Sequence, residues 1–259
     1  MFDFTFSLRD LEYFLLIVVR ITCFIHAAPF FGMTNTPTRI KIGLGVLISM
    51  LVYRTMTPVY PEYSTVLVFS IYVIKEAITG ILIGYSAALC VTILNFAGHL
   101  VDMEIGLSMV SLFDPVSRES VTISGTYYQY TVLLMLMISG MYQYVLAAII
   151  ETFNMIPVSG AVFSSEKILN AMLTFLRDYL ALGFRLCLPV FAAMLLLNAI
   201  LGILAKVSPQ LNMFAVGIQF KLLLGLGVIF LTVGMLPGAS TAILSEMKKM
   251  ITVFAEAIT

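Results

Sequence analysis

Residues 65–100 read TVLVFSIYVIKEAITGILIGYSAALCVTILNFAGHL, with Lys75 and Glu76 as the only full charges. A hydrocarbon core is crossed by about 20 mostly apolar residues in a helix. This run is longer than that, so it must tilt, bend or project beyond a bilayer. Its middle carries Gly80-Ile81-Leu82-Ile83-Gly84. That G-x-x-x-G element, with Ala88 extending the small-residue stripe, lets a second helix approach closely or lets this one bend.

Further apolar runs lie on both sides. Leu11 to Phe31 contains Arg20 and His26, and Ile40 to Met56 follows the basic turn Thr38-Arg39-Ile40-Lys41. Beyond residue 100 come Thr126 to Ile150, Leu176 to Val207 with Pro189 inside it, and Met213 to Leu236. Pro189 removes one backbone donor and is expected to kink its helix. The short interruption Ser208-Pro209-Gln210-Leu211-Asn212 makes the last two runs an antiparallel hairpin, with Pro209, Gln210 and Asn212 as its turn. The tail places Ile243, Met247, Met250, Ile251 and Phe254 at helical spacing, as in an amphipathic helix on a surface.

The expected fold is all-α: a polytopic integral membrane protein of about six long apolar helical segments in bent hairpins. No strand-like alternation, low-complexity linker or composition shift divides the chain, which reads as one domain. Composition agrees, since 61% of the 259 residues are hydrophobic and 11% charged; soluble domains carry roughly 25% charged residues. The amino end lacks a basic n-region and a small-residue cleavage site, so the first apolar run is expected to stay in the mature protein. Lysines and arginines divide too evenly between the two sides to set an orientation by the positive-inside rule.

The same residues narrow the function. A formal net charge of zero supplies no basic field for nucleic acid. Cys23, Cys90 and Cys187 are widely spaced in apolar segments and read as small hydrophobes. The chain has no G-x-S-x-G hydrolase elbow and no G-x-x-x-x-G-K-[ST] phosphate cradle. His99, Asp102 and Glu104 come closest to a catalytic or metal set, at a spacing that matches no zinc motif. No cofactor and no catalysis are expected. Arg20, Lys75, Glu76, Arg185 and Lys221 fall inside apolar runs, where a lipid-facing charge costs on the order of 2.5–3.5 kcal/mol. Such charges line an ion path or pair between helices and subunits. A secondary transporter of a small solute remains the alternative reading, although the breaks at Gly80/Gly84 and Pro189 do not repeat as related halves would.

Several stretches together resemble the FliR family of flagellar type III export-gate membrane proteins, whose injectisome relatives form the SctT family. They are Ala28-Pro29-Phe30-Phe31 with Pro37 to Leu44, Lys75-Glu76-Ala77 with Gly80 to Gly84, and Ala97-Gly98-His99-Leu100-Val101-Asp102. Gly106-Leu107-Ser108 to Phe113-Asp114-Pro115-Val116-Ser117, and Pro209 to Phe214 leading to Gly217 and Lys221, complete the series. Gln219-Phe220 departs from the Phe-Pro that relatives often carry before the lysine, so a bend there is not implied.

The resemblance implies a channel-forming, non-enzymatic subunit of the flagellar export gate, or its virulence-secretion counterpart. It passes unfolded flagellar proteins across the bacterial inner membrane at the centre of the basal body. Implied partners are FliP-like and FliQ-like membrane subunits, an FlhB-like subunit, unfolded export substrates and membrane lipid, with no nucleic acid. The family plan is a FliP-like part, here about 1–175, followed by a FliQ-like part, about 176–259. It also places the loop at about 106–117 in the pore as a plug. Gly106, Met109, Leu112, Phe113, Asp114 and Pro115 are the expected plug residues: the apolar ones exclude water, and Asp114-Pro115 turns the chain. Lys75, Glu76, Lys221, Gly80 and Gly84 are the expected assembly contacts.

Overall fold

The computed structural model describes residues 7–32, 36–108, 122–208, 210 and 212–259, and the regular structure among them is all helical. The helices are α1 (Leu8–Ala27), α2 (Thr38–Thr55), α3 (Val66–Ile105), α4 (Ile123–Ile138), α5 (Tyr142–Met155), α6 (Ser165–Val207), α7 (Met213–Thr232) and α8 (Leu236–Ala257). A 3-10 turn, Val233–Met235, joins the last two.

Local chemistry fixes several of the ends. Ser7 and Asp10 form a capping box at the start of α1: the Ser7 N–H donates to Asp10 Oδ2 (2.9 Å), and the Asp10 N–H donates to Ser7 Oγ (3.4 Å). Ala28, ahead of Pro29, is extended and closes that helix. Gly106, with φ +92°, lies just past α3, and its N–H donates to the Asp102 carbonyl at 3.0 Å, a left-handed glycine end. Asn212 caps α7 by accepting from the Ala215 N–H at 3.5 Å.

Two expected runs end differently. Thr126 to Ile150 is not one helix: α4 ends at Ile138 and α5 begins at Tyr142, with a break at Gly140, whose φ is +67°. The glycine takes a backbone conformation that stops the ladder inside an apolar run. The fifth run starts earlier than expected, at Ser165, and α6 continues through Pro189 without ending.

Among the described residues, three stretches are long and apolar enough to cross a membrane: Val66–Ile105, Ser165–Val207 and Ala215–Ala257. The broken α4–α5 pair makes up to four if it counts as one span. Of the six apolar runs read from the sequence, the first two fall short of that standard. Arg9, Asp10, Glu12 and Arg20 lie on α1, and Arg39, Lys41 and Arg54 on α2.

The chain forms two compact units. The first comprises Met1–Cys90, Gly140–Phe175 and Leu244–Thr259. At its centre α1 buries Leu16, Ile17, Ile21, Phe24 and Ile25. Here α3 passes so close to α1 that a Cβ on Gly80 would overlap the Arg20 carbonyl oxygen, and one on Gly84 would lie 2.7 Å from that of Phe24. The tail's Met247, Met250, Ile251 and Phe254 are buried, so its apolar stripe packs into this unit. Lys248 Nζ stands 4.0 Å above the Tyr144 ring.

The second unit comprises Val91–Ser139 and Leu176–Ile243. Phe96 packs at a tilt against Tyr179 and meets Phe184 edge-on, at centroid distances of 5.1 and 5.9 Å. Gly183 leaves room for the Phe96 ring. Gly217 lies opposite Leu201, as expected for an α6–α7 hairpin.

Candidate functional site

The described ends of the 106–117 loop are clamped together in the second unit. Gly98 on α3 and Gly125 on α4 touch backbone to backbone; a Cβ on Gly98 would overlap Gly125 and lie 2.8 Å from the Ser124 carbonyl carbon. One turn further along the same face, the Asp102 carboxylate accepts the Ser124 N–H, at 3.2 Å to Oδ1 and 3.3 Å to Oδ2. Thr122, the residue at the cap position of α4, makes no side-chain cap bond. Asp102 therefore does from the neighbouring helix what a cap residue does locally. It satisfies an orphan donor and sets a negative charge against the positive end of the helix dipole. A cap of this kind contributes about 0.5–2 kcal/mol. The contact is 3% exposed, and the Ser124 hydroxyl beside it finds no hydrogen-bond partner among the described residues.

Gly106 turns the chain out of α3 just beyond this clamp, and Met103 projects from the helix with 58% exposure. Met109, Leu112, Phe113, Asp114 and Pro115 lie outside the described residues. In the hairpin turn, Gln210 and Asn212 are exposed, while Pro209 also lies outside them.

Of the five charges that fall inside apolar runs, Arg20, Lys75 and Glu76 come together in the first unit, while Arg185 and Lys221 lie in the second. Arg20 and Glu76 are fully buried and pair in two-pronged fashion through Nε to Oε2 and Nη2 to Oε1, the latter at 2.9 Å. Arg20 Nη1 also donates to the Ile156 carbonyl (2.8 Å), and its guanidinium sits 4.3 Å above the Phe153 ring. Glu76 Oε1 accepts the Ser159 N–H at 2.8 Å, holding a non-glycine residue at φ +68°. Lys75 reaches a different neighbour, the Ala161 carbonyl, at 3.2 Å. The adjacent charges thus tie α1, α3 and the 156–161 segment together. Lys221 is half-buried on α7.

At the start of the first unit, Tyr60 donates its hydroxyl to Asp10 Oδ1. That bond, with the Ser7 N–H, holds the Asp10 carboxyl below the usual carboxylate range and pushes the Tyr60 hydroxyl up to about 12.

His26 and His99 are exposed. Among the described residues no group of three His, Cys, Asp or Glu side chains could hold a metal. Sequence reading singled out Asp102 for chemistry and missed its capping role. The signal was there: Gly98 and Asp102 are four residues apart on one face, a close-approach residue followed by an acceptor.

The sequence profile of the family described as bacterial export proteins, family 1, matches residues 11–247. The chain is similar to the flagellar biosynthetic protein FliR of Pectobacterium carotovorum subsp. carotovorum, 28% identical over 237 residues, covering 88% of this chain and 87% of the relative. It is similar to the protein of that name from Bacillus subtilis (strain 168), 28% identical over 212 residues, with 81% of each chain covered. The Escherichia coli (strain K12) FliR is 25% identical over 219 residues, covering 82% of this chain and 80% of the relative.

Proposed function

This chain belongs to the bacterial export proteins, family 1, the FliR family, and from that premise we propose that it is a channel-forming subunit of the flagellar type III export gate. In this reading it sits in the bacterial inner membrane at the centre of the basal body. It works with FliP-like, FliQ-like and FlhB-like subunits and carries out no catalysis of its own. Its amino-terminal part, to about residue 175, is FliP-like, and the remainder FliQ-like. Its relatives are flagellar biosynthetic proteins, which favours flagellar export over the virulence counterpart.

The gate has to pass unfolded chains with very different side chains and still hold back ions when idle. An apolar plug meets both demands, because it excludes water at rest and repacks around a passing chain. We assign that plug to residues 106–117, with Met109, Leu112 and Phe113 as the seal and Asp114-Pro115 shaping the turn. The observation that carries this reading is the Asp102–Ser124 clamp. A loop that seals must hang from a fixed root, and the clamp, reinforced by the Gly98–Gly125 contact, fixes both ends of this one. Lys75 and Lys221 are proposed to contact neighbouring subunits, whereas Glu76 acts through Arg20 to keep the Lys75 segment in place.

Deleting residues 106–117 in cells tests the plug. Ion leakage and slowed growth are expected, with the assembled complex retained. No added leak together with unchanged export would remove the assignment.

A further inference from the structure

Glycine is a poor residue for a helix interior, yet α7 contains Gly217, Gly225 and Gly227. Among the described residues of α7 only Gly217 and Gly225 are buried, and Leu223, Leu224 and Leu226 around the second are exposed. Gly217 faces Leu201 of α6 at an ordinary contact distance, 3.6 Å from an added Cβ. Gly225 faces Ile105, the last residue of α3, and leaves no such room. A Cβ there would fall 2.5 Å from Ile105 Cγ1 and 2.7 Å from both Cδ1 and Cγ2. Gly227 is exposed, and a Cβ on it would meet nothing within 4 Å.

The side chain of Ile105 thus rests on bare backbone of α7. It cannot swing aside, because isoleucine branches at Cβ, its χ1 is stiff in a helix, and both γ carbons meet the glycine. Ile105 is fully buried and immediately precedes Gly106, where the chain leaves α3 at φ +92°. Asp102, three residues earlier and on a neighbouring part of the same face, takes the Ser124 N–H of α4. The last turn of α3 is therefore held from two directions, by a hydrogen bond from α4 and by a packed side chain on α7.

We propose that Ile105 and Gly225 are positioning residues for the 106–117 loop: α7 sets the root of the loop by seating Ile105 on Gly225. The seat needs glycine because any Cβ would push the end of α3 away, and it needs isoleucine because a smaller side chain leaves the two helices without contact there. Its consequence in the cell rests on the plug reading given above, whereas its geometry does not.

The test uses the full-length chain in its assembled complex. Hydrogen exchange of the Ile105 and Gly106 amides is followed by mass spectrometry, and ion leakage is measured in cells at equal complex level. Gly225→Ala should speed that exchange about tenfold or more, as overpacking does where neither side can give way, and should raise the leak. Adding Ile105→Ala should restore both, because it removes the γ carbons; adding Ile105→Val should not, because it keeps them. Gly227→Ala should change neither. Exchange left unchanged by Gly225→Ala, or rescue by valine as complete as by alanine, would overturn the proposal. Should Gly225→Ala fail to assemble, Ile105→Ala alone empties the seat without a clash, and unchanged exchange at Gly106 in that variant would equally overturn it. Faster exchange with no added leak would leave the seat standing and remove the plug reading. A leak on deleting residues 106–117, with exchange unmoved by Gly225→Ala, would do the reverse.

Discussion

Asp102 on α3 accepts the backbone N–H of Ser124 on α4, so the two helices that frame the 106–117 loop are joined at its root by one buried carboxylate. Asp102→Ala leaves the Ser124 donor buried without its acceptor, and the full chain should lose about 1–2 kcal/mol of stability in detergent unfolding. Asp102→Asn keeps an acceptor and removes the charge, so its loss should be smaller. Equal losses in the two variants would show that the cap bond does not matter.

Gly98 and Gly125 allow the same helices to touch. Gly98→Ala sets a methyl group against backbone, which cannot swing aside, so the helices must part. The expected cost is about 1–3 kcal/mol, with more ion leak from cells at equal protein level. Stability and leak both at the unsubstituted level would contradict the close contact.

The Arg20–Glu76 pair predicts an asymmetry between single and double replacement. Arg20→Met or Glu76→Leu alone strands a buried charge and should cost about 3–5 kcal/mol. The double replacement should recover part of that loss. Recovery stays incomplete because the Ile156 carbonyl and the Ser159 N–H each lose a partner. Protein yield and thermal unfolding of the three variants measure this, and a double variant no better than the singles would contradict it.

The Asp10–Tyr60 bond gives a pH dependence at the amino end. Asp10 titrates below the usual carboxylate range when folded, so its contribution is present above the ordinary value and is lost as pH falls through the depressed one. Tyr60 is raised to about 12, so its contribution is present below pH 10 and is lost as pH rises through about 12. Ultraviolet titration should show a tyrosine ionising near pH 12 that is absent in Tyr60→Phe. In that variant the Asp10 carboxyl should move back up towards its ordinary range. A Tyr60 that ionises with the exposed tyrosines would rule the bond out in solution.

Helical class and several boundaries were legible in the sequence because apolar runs and their punctuation carry them. Ile40 to Met56 became Thr38–Thr55, and Met213 opens α7 as expected. The break at Gly140 was not legible, since one glycine between apolar turns reads equally as part of a continuous helix. The early start of α6 was missed because Glu166, Lys167 and Arg177 make its first turns look like a polar connection. The buried charges could be named from sequence, but Arg20 and Glu76 lie in different helices and only folding pairs them. The clamp beside the loop was half legible: its small residue and its acceptor were visible, and its donor on α4 was not.

The central claim is that residues 106–117 stand in the path of exported chains. A photo-cross-linking residue in place of Phe113, in cells holding a stalled export substrate, tests it most directly. An adduct between the two chains that disappears when the substrate is absent is the predicted result. Adducts with lipid alone, whether or not a substrate is engaged, would place the loop on an outer wall and contradict the account.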